Sequence, residues 1–236
     1  MDIHFMISRE IARQQVYQCL AGCFQIPDKN LALVVDQLSD NLETLESRAT
    51  DPVEQMQAEP ALLSDTHLLK TEFSRLFIGP YTLPAPPYGS VYIEKMRKTM
   101  GDSTMDVLKR YRKAGVDLAD DFKEVPDHVG AELEFMFLMI YKEIEGIRSD
   151  DQKMVHQMLV HQISFLQDHL NEWIPEFAGL VTAHASEPFY RLLAEAARIF
   201  MAEDQAYLEA VLASAGRDEE NHLAVSLDEK DNHGTV

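Results

Sequence analysis

Cysteine is scarce in this chain: Cys19 and Cys23, four positions apart, are the whole complement. One such pair cannot supply the disulfide framework of a small secreted domain, and without companion Cys or His residues nearby it makes a poor metal site. Positive charge is also short, with 21 Lys and Arg against 40 Asp and Glu and a net charge of −19. That balance argues against the cationic footprint needed to hold a nucleic-acid backbone, and favours cationic partners such as an Arg- or Lys-bearing peptide. Nowhere do 18 apolar residues follow one another, so no bilayer-spanning helix is expected. The opening Met1–Ser8 lacks the basic region and apolar core of a signal peptide, which points to the cytoplasm. Phosphate loops of the GxxxxGK[ST] or GxGxxG form, HExxH and GxSxG are all missing. His156, His161 and His169 are spaced by five and eight, not by the four that sets two ligands on one helix face. Period-two alternation and Asn-Gly hairpin turns are missing too, which leaves an all-α fold.

What is present is helical spacing. Ile7, Ile11, Val16, Cys19, Leu20, Cys23 and Phe24 form one stripe, with Ser8 as its expected cap. Asp28 is placed to cap a second helix through Leu31, Val34, Val35, Leu38, Leu42 and Leu45, and the polar stretch 47–59 reads as a loop. A third helix from about Ser64 through Phe77 should stop at Gly79-Pro80, and a fourth, through Met105 and Tyr111, at Gly115. The stretch Leu133–Ile147 is apolar nearly all round and predicts the central buried helix. A further helix through Met154 and Leu170 should end before Pro175, the next runs from Phe189 to Phe200, and a short one passes Tyr207. Residues 1–215 are therefore expected to form a single domain, and 216–236 a polar, disordered tail.

Three segments depart from this helical routine. Four of the ten prolines fall between positions 80 and 87, in a rigid, non-helical connection that carries Phe77, Tyr81, Tyr88 and Tyr92. A mere connector would be polar and short; this one suits a surface that grips something. The second segment is Val125-Pro126-Asp127-His128, at the mouth of the apolar helix, with Glu132 and Glu134 just inside. Asp127 is either a helix cap or an acceptor for a guanidinium, and a neutral His128 would offer one donor and one acceptor. An Asp-His pair acts catalytically only with an oriented nucleophile, so a small helical hydrolase or nucleotide-binding protein using Asp127 and His128 is the alternative reading. In the third segment Trp173, Phe177, Phe189 and Tyr190 surround a helix break and read as core.

Together these segments resemble the TorD/DmsD family of chaperones for molybdenum-containing redox enzymes. The resemblance rests on Leu76-Phe-Ile-Gly-Pro-Tyr81 with Pro86-Pro-Tyr-Gly-Ser-Val-Tyr92, on Pro126-Asp-His128 with Glu132-Leu-Glu-Phe-Met136, and on Trp173-x-Pro-x-Phe177, and covers roughly residues 8–213. Phe73 stands where the pattern commonly has Trp or Tyr, and Tyr88 and Tyr92 stand where it has Trp. The resemblance implies a single helical chaperone domain without enzymatic activity or cofactor, weak guanine-nucleotide binding aside. The implied partners are the twin-arginine leader and apo catalytic subunit of a molybdoenzyme such as dimethyl sulfoxide reductase, with export-translocase components beyond them. A monomer or a domain-swapped dimer is implied, without nucleic acid or membrane insertion. The leader surface would include the matching Leu76, Phe77, Asp127 and His128; Phe73, Tyr81, Pro86, Pro87, Tyr88, Pro126 and Glu132 complete the candidate site.

Overall fold

In this computed structural model the chain is described over residues 3–58, 66–80, 82–95, 101–116 and 124–231, with side chains through residue 214. Helices α1 (Ile3–Cys23), α2 (Leu31–Thr44) and α3 (Thr50–Gln57) open the fold, followed by α4 (Thr66–Phe73), which runs on as a π turn over Ser74–Ile78. The short α5 (Gly89–Ile93) and α6 (Asp102–Lys113) come next, then the long α7 (Val129–Arg148). The helix α8 (Gln152–Phe165) continues through a π turn, Leu166–Leu170, into α9 (Asn171–His184), and α10 (Pro188–Asp231) closes the chain. The only β pairing among the described residues is one isolated antiparallel bridge, Tyr88 with His128. The fold is all-α.

The core follows the apolar stripes. Val16, Leu20, Cys23 and Phe24 of the first segment meet Val35, Leu38 and Leu42 of α2, and all are buried. Helix α7 packs on α1 and α8 and buries Leu133, Met136, Met139 and Ile140 on its inner side, but Tyr141 is half exposed, so one face of this helix meets solvent. Midway along α1 a fully buried Arg13 ties three helices together. It donates to Asp204 of α10 at 2.6 and 3.0 Å and to Gln162 of α8 at 2.9 Å, and pairs with Glu10 on its own helix. Tyr17 Oη also donates to Asp204, and Gln162 passes a hydrogen bond to Glu143 of α7 at 2.7 Å.

Several sequence expectations are revised. Ser8 lies inside α1 and donates to the His4 carbonyl, so it caps nothing. Asp28 accepts the Asn30 N–H at 2.8 Å in the turn before α2. Within the stretch expected as a loop, α3 forms because Ala49, Val53 and Met56 share one buried face and Pro52 sits in the first turn, where no N–H is needed. Pro175 does not end a helix: it is the fifth residue of α9, in the stretch directly after the π turn, and the chain stays helical across it. The separate helix expected through Tyr207 is part of α10, whose backbone extends to Asp231. Gly79 and Gly115 do stop their helices; their φ values of 97° and 68° lie where side-chain-bearing residues are strained.

Candidate functional site

The three unusual segments come together at one place. Gly89 N–H donates to Asp127 O and Val129 N–H to Pro87 O, each at 2.9 Å, which fastens the proline-rich segment to the mouth of α7. Asp127 Oδ2 accepts the Ser90 N–H at 2.7 Å, so this carboxylate supports the start of α5 rather than of its own helix. His128 occupies the cap position of α7, and its Nδ1 accepts the Gly130 N–H at 3.1 Å. A ring nitrogen that accepts is unprotonated, and burial also lowers the His128 pKa, against the raising influence of Glu124 and Asp127. The imidazole is therefore neutral, with the Tyr88 ring edge-on to it at 5.5 Å.

Below this junction lies a buried acid. Glu132, in the first turn of α7, is wholly enclosed; Oε2 accepts the Trp173 Nε1–H at 3.0 Å, and Oε1 has no hydrogen-bond partner. Burial pushes its carboxyl well above the ordinary range; the Trp173 hydrogen bond opposes this and the Asp127 charge adds to it. Enclosure thus favours the protonated, neutral form of Glu132. Gly89 is glycine for a steric reason: a Cβ there would stand 3.0 Å from Trp173 Nε1 and 3.3 Å from Glu132 Oε1. Tyr92 stacks on the Trp173 ring at 5.5 Å and donates through its hydroxyl to Pro86 O at 2.8 Å. Tyr111 does the same for Pro126 O at 2.8 Å.

Above the Tyr92–Trp173 stack an open groove of about 1110 Å³ runs between the proline-rich segment and α9. One wall is Thr82, Leu83, Pro84, Pro86 and Tyr88; the base is Val91, Tyr92 and Lys95; the other wall is Glu176, Leu180 and His184. Of the expected site residues, Pro86 and Tyr88 line it. Phe73, Leu76 and Phe77 are buried instead, with Phe77 set among Phe24, Phe73, Phe177 and Tyr190 at 5.1 to 6.4 Å. They present no free surface to a ligand. Pro87, Pro126, Asp127 and His128 form the junction, and Glu132 is closed off below it. Tyr81 lies outside the described residues.

Sequence reading missed Glu176, Leu180 and His184. Their spacing of four along α9 puts them on one face, a signal obscured by taking Pro175 as a helix end. The expected aromatic core is present, since Trp173, Phe177, Phe189 and Tyr190 are all buried.

The family model described as nitrate reductase delta subunit matches residues 28–179. The Psychrobacter chaperone protein TorD is 30% identical over 176 residues, 74% of this chain and 73% of its own. The chain belongs to the TorD/DmsD family. Within that family, the Salmonella typhi Tat proofreading chaperone DmsD is 33% identical over 140 residues, which span 59% of this chain and 62% of the relative, less than two thirds of its length. The family fold also appears in a redox enzyme maturation protein from Archaeoglobus fulgidus. That solved structure superimposes with a TM-score of 0.50 at 21% identity, over 80% of this chain and 93% of its own. None of the described helices is long and apolar enough to cross a membrane.

Proposed function

We propose that the protein is a cytoplasmic chaperone, without enzymatic activity, for a molybdopterin-containing oxidoreductase of the dimethyl sulfoxide reductase kind. It binds the twin-arginine leader or the apo form of the catalytic subunit and delays export until the cofactor is inserted. The observation that carries this reading is the groove over Tyr92 and Trp173, which combines apolar walls with an acidic side chain and is built on the family's own motif segments. A twin-arginine leader joins basic residues to an apolar stretch, and the net charge of −19 draws such a peptide in. The relatives' names, Tat proofreading chaperone and chaperone protein, support the same role.

The hydrolase alternative loses its footing at Asp127 and His128. Each is committed to a backbone N–H, Ser90 for the carboxylate and Gly130 for Nδ1, so the aspartate does not orient the imidazole as a catalytic pair requires. Calorimetric titration with a molybdoenzyme leader tests the proposal, with a Lys-Lys version and an unrelated export leader as controls. Saturable binding of the twin-arginine peptide alone is expected. Equal binding of all three, or of none, would overturn leader recognition.

A further inference from the structure

The groove has only one side chain suited to accept a cation. Glu176 is the single carboxylate among its described lining residues, and it stands near enough to the Tyr92 hydroxyl to add to the upward pressure that burial exerts there. Across from it, the wall has lost donors: Pro84 and Pro86 have no N–H, and the Ala85 N–H is turned inward to Leu76 O at 3.4 Å. Backbone donors are therefore scarce along positions 84–86 of this wall, and the Pro86 carbonyl already accepts the Tyr92 hydroxyl. A guanidinium, with five N–H donors in a planar fork and no acceptor, fits a carboxylate facing such a donor-poor stretch. Lys95, also lining the groove, disfavours a second cation in the same space.

Resting on the reading of this groove as a leader site, we propose that it reads a single arginine of the leader and that Glu176 is the residue that takes its guanidinium. The second arginine of the pair then lies outside the groove and contributes by general attraction to the acidic surface. The apolar residues beside the bound arginine rest against Leu83, Val91 and Leu180.

The test is calorimetric titration of the wild-type protein and Glu176→Gln with four leader peptides: the parent, each arginine replaced singly by lysine, and both replaced. Glu176 is exposed, so the variant should keep the fold, and its thermal unfolding midpoint provides the check. In the wild type, one of the two single replacements should cost roughly tenfold to a hundredfold in affinity and the other severalfold at most. In Glu176→Gln the parent leader should bind roughly tenfold to a hundredfold more weakly, and the difference between the two single replacements should vanish. Unchanged affinity of the variant for the parent, or equal losses at both arginines in the wild type, overturns the inference while leaving the leader site in place. Failure of any leader to bind the wild type overturns both.

Discussion

Tyr88 and His128 face each other across the one antiparallel bridge among the described residues, with their rings edge to face at 5.5 Å. Two segments nearly forty residues apart are held there by a pair of backbone hydrogen bonds, Gly89 to Asp127 and Val129 to Pro87. The groove depends on this seam, because its proline wall is anchored through it and through the Tyr92 hydroxyl on Pro86. The residues expected to touch a ligand thus divide into a lining set, represented by Pro86 and Tyr88, and a supporting set beneath it.

Gly89→Ala should loosen the seam. The new methyl would stand 3.0 Å from the Trp173 nitrogen and 3.3 Å from Glu132 Oε1, both fully buried, so the indole must shift or the α5 backbone must lift. A loss of about 1–3 kcal/mol is expected, typical of an overpacked site. Urea unfolding measures it, and the chain's lone tryptophan reports the shift by fluorescence.

The buried Glu132 predicts a pH dependence of definite sign. Its folded-state pKa is raised, so the folded protein retains a proton that the unfolded chain gives up above about pH 4.3. The stability it contributes is complete below that pH and declines as pH rises through the folded-state value. Glu132→Gln has no such titration. Its unfolding free energy minus that of the wild type should therefore increase from pH 5 to pH 9, by at most about 1.4 kcal/mol per pH unit. A difference that stays flat would mean Glu132 is ionised in the folded protein. Glu143, pushed up to about 8 chiefly by burial, is retained in both proteins and drops out of the comparison.

Arg13 is the second place where one substitution should matter greatly. It is fully buried among Glu10, Asp204 and Glu143, with two hydrogen bonds to Asp204 alone. Arg13→Met leaves buried carboxylates without their cation and should cost about 3–5 kcal/mol in chemical denaturation. A cost below about 1 kcal/mol would contradict its role as the tie between α1, α8 and α10.

Most of the helical architecture was legible from apolar spacing. The stripes through Val16 and Leu20, through Val35 and Leu38, and through Leu133 and Met136 all became buried faces. Pro175 is no terminator: α9 runs straight through it from the preceding π turn, which apolar spacing does not reveal. The polar stretch 47–59 concealed a helix whose buried face is only Ala49, Val53 and Met56. At the site, the sequence marked the segments that come together but not their orientation. An apolar Leu76-Phe77 pair reads alike as groove lining or as core, and only the contacts of Phe77 with Phe24, Phe177 and Tyr190 decide for core. Glu176, Leu180 and His184 are unremarkable in sequence and gain meaning only when α9 faces the proline wall.

The central claim, that the leader docks in the groove between the proline wall and α9, is tested most directly by photo-crosslinking. A twin-arginine leader carrying a photoreactive residue beside the arginines would be irradiated with the protein and the adducts mapped by mass spectrometry. Crosslinks concentrated at Leu83, Val91 and Leu180, and lost in competition with unlabelled leader, are the predicted result. Competable crosslinks confined to another face, such as the exposed Phe5 and Ile11 of α1 or Tyr141 of α7, would contradict it.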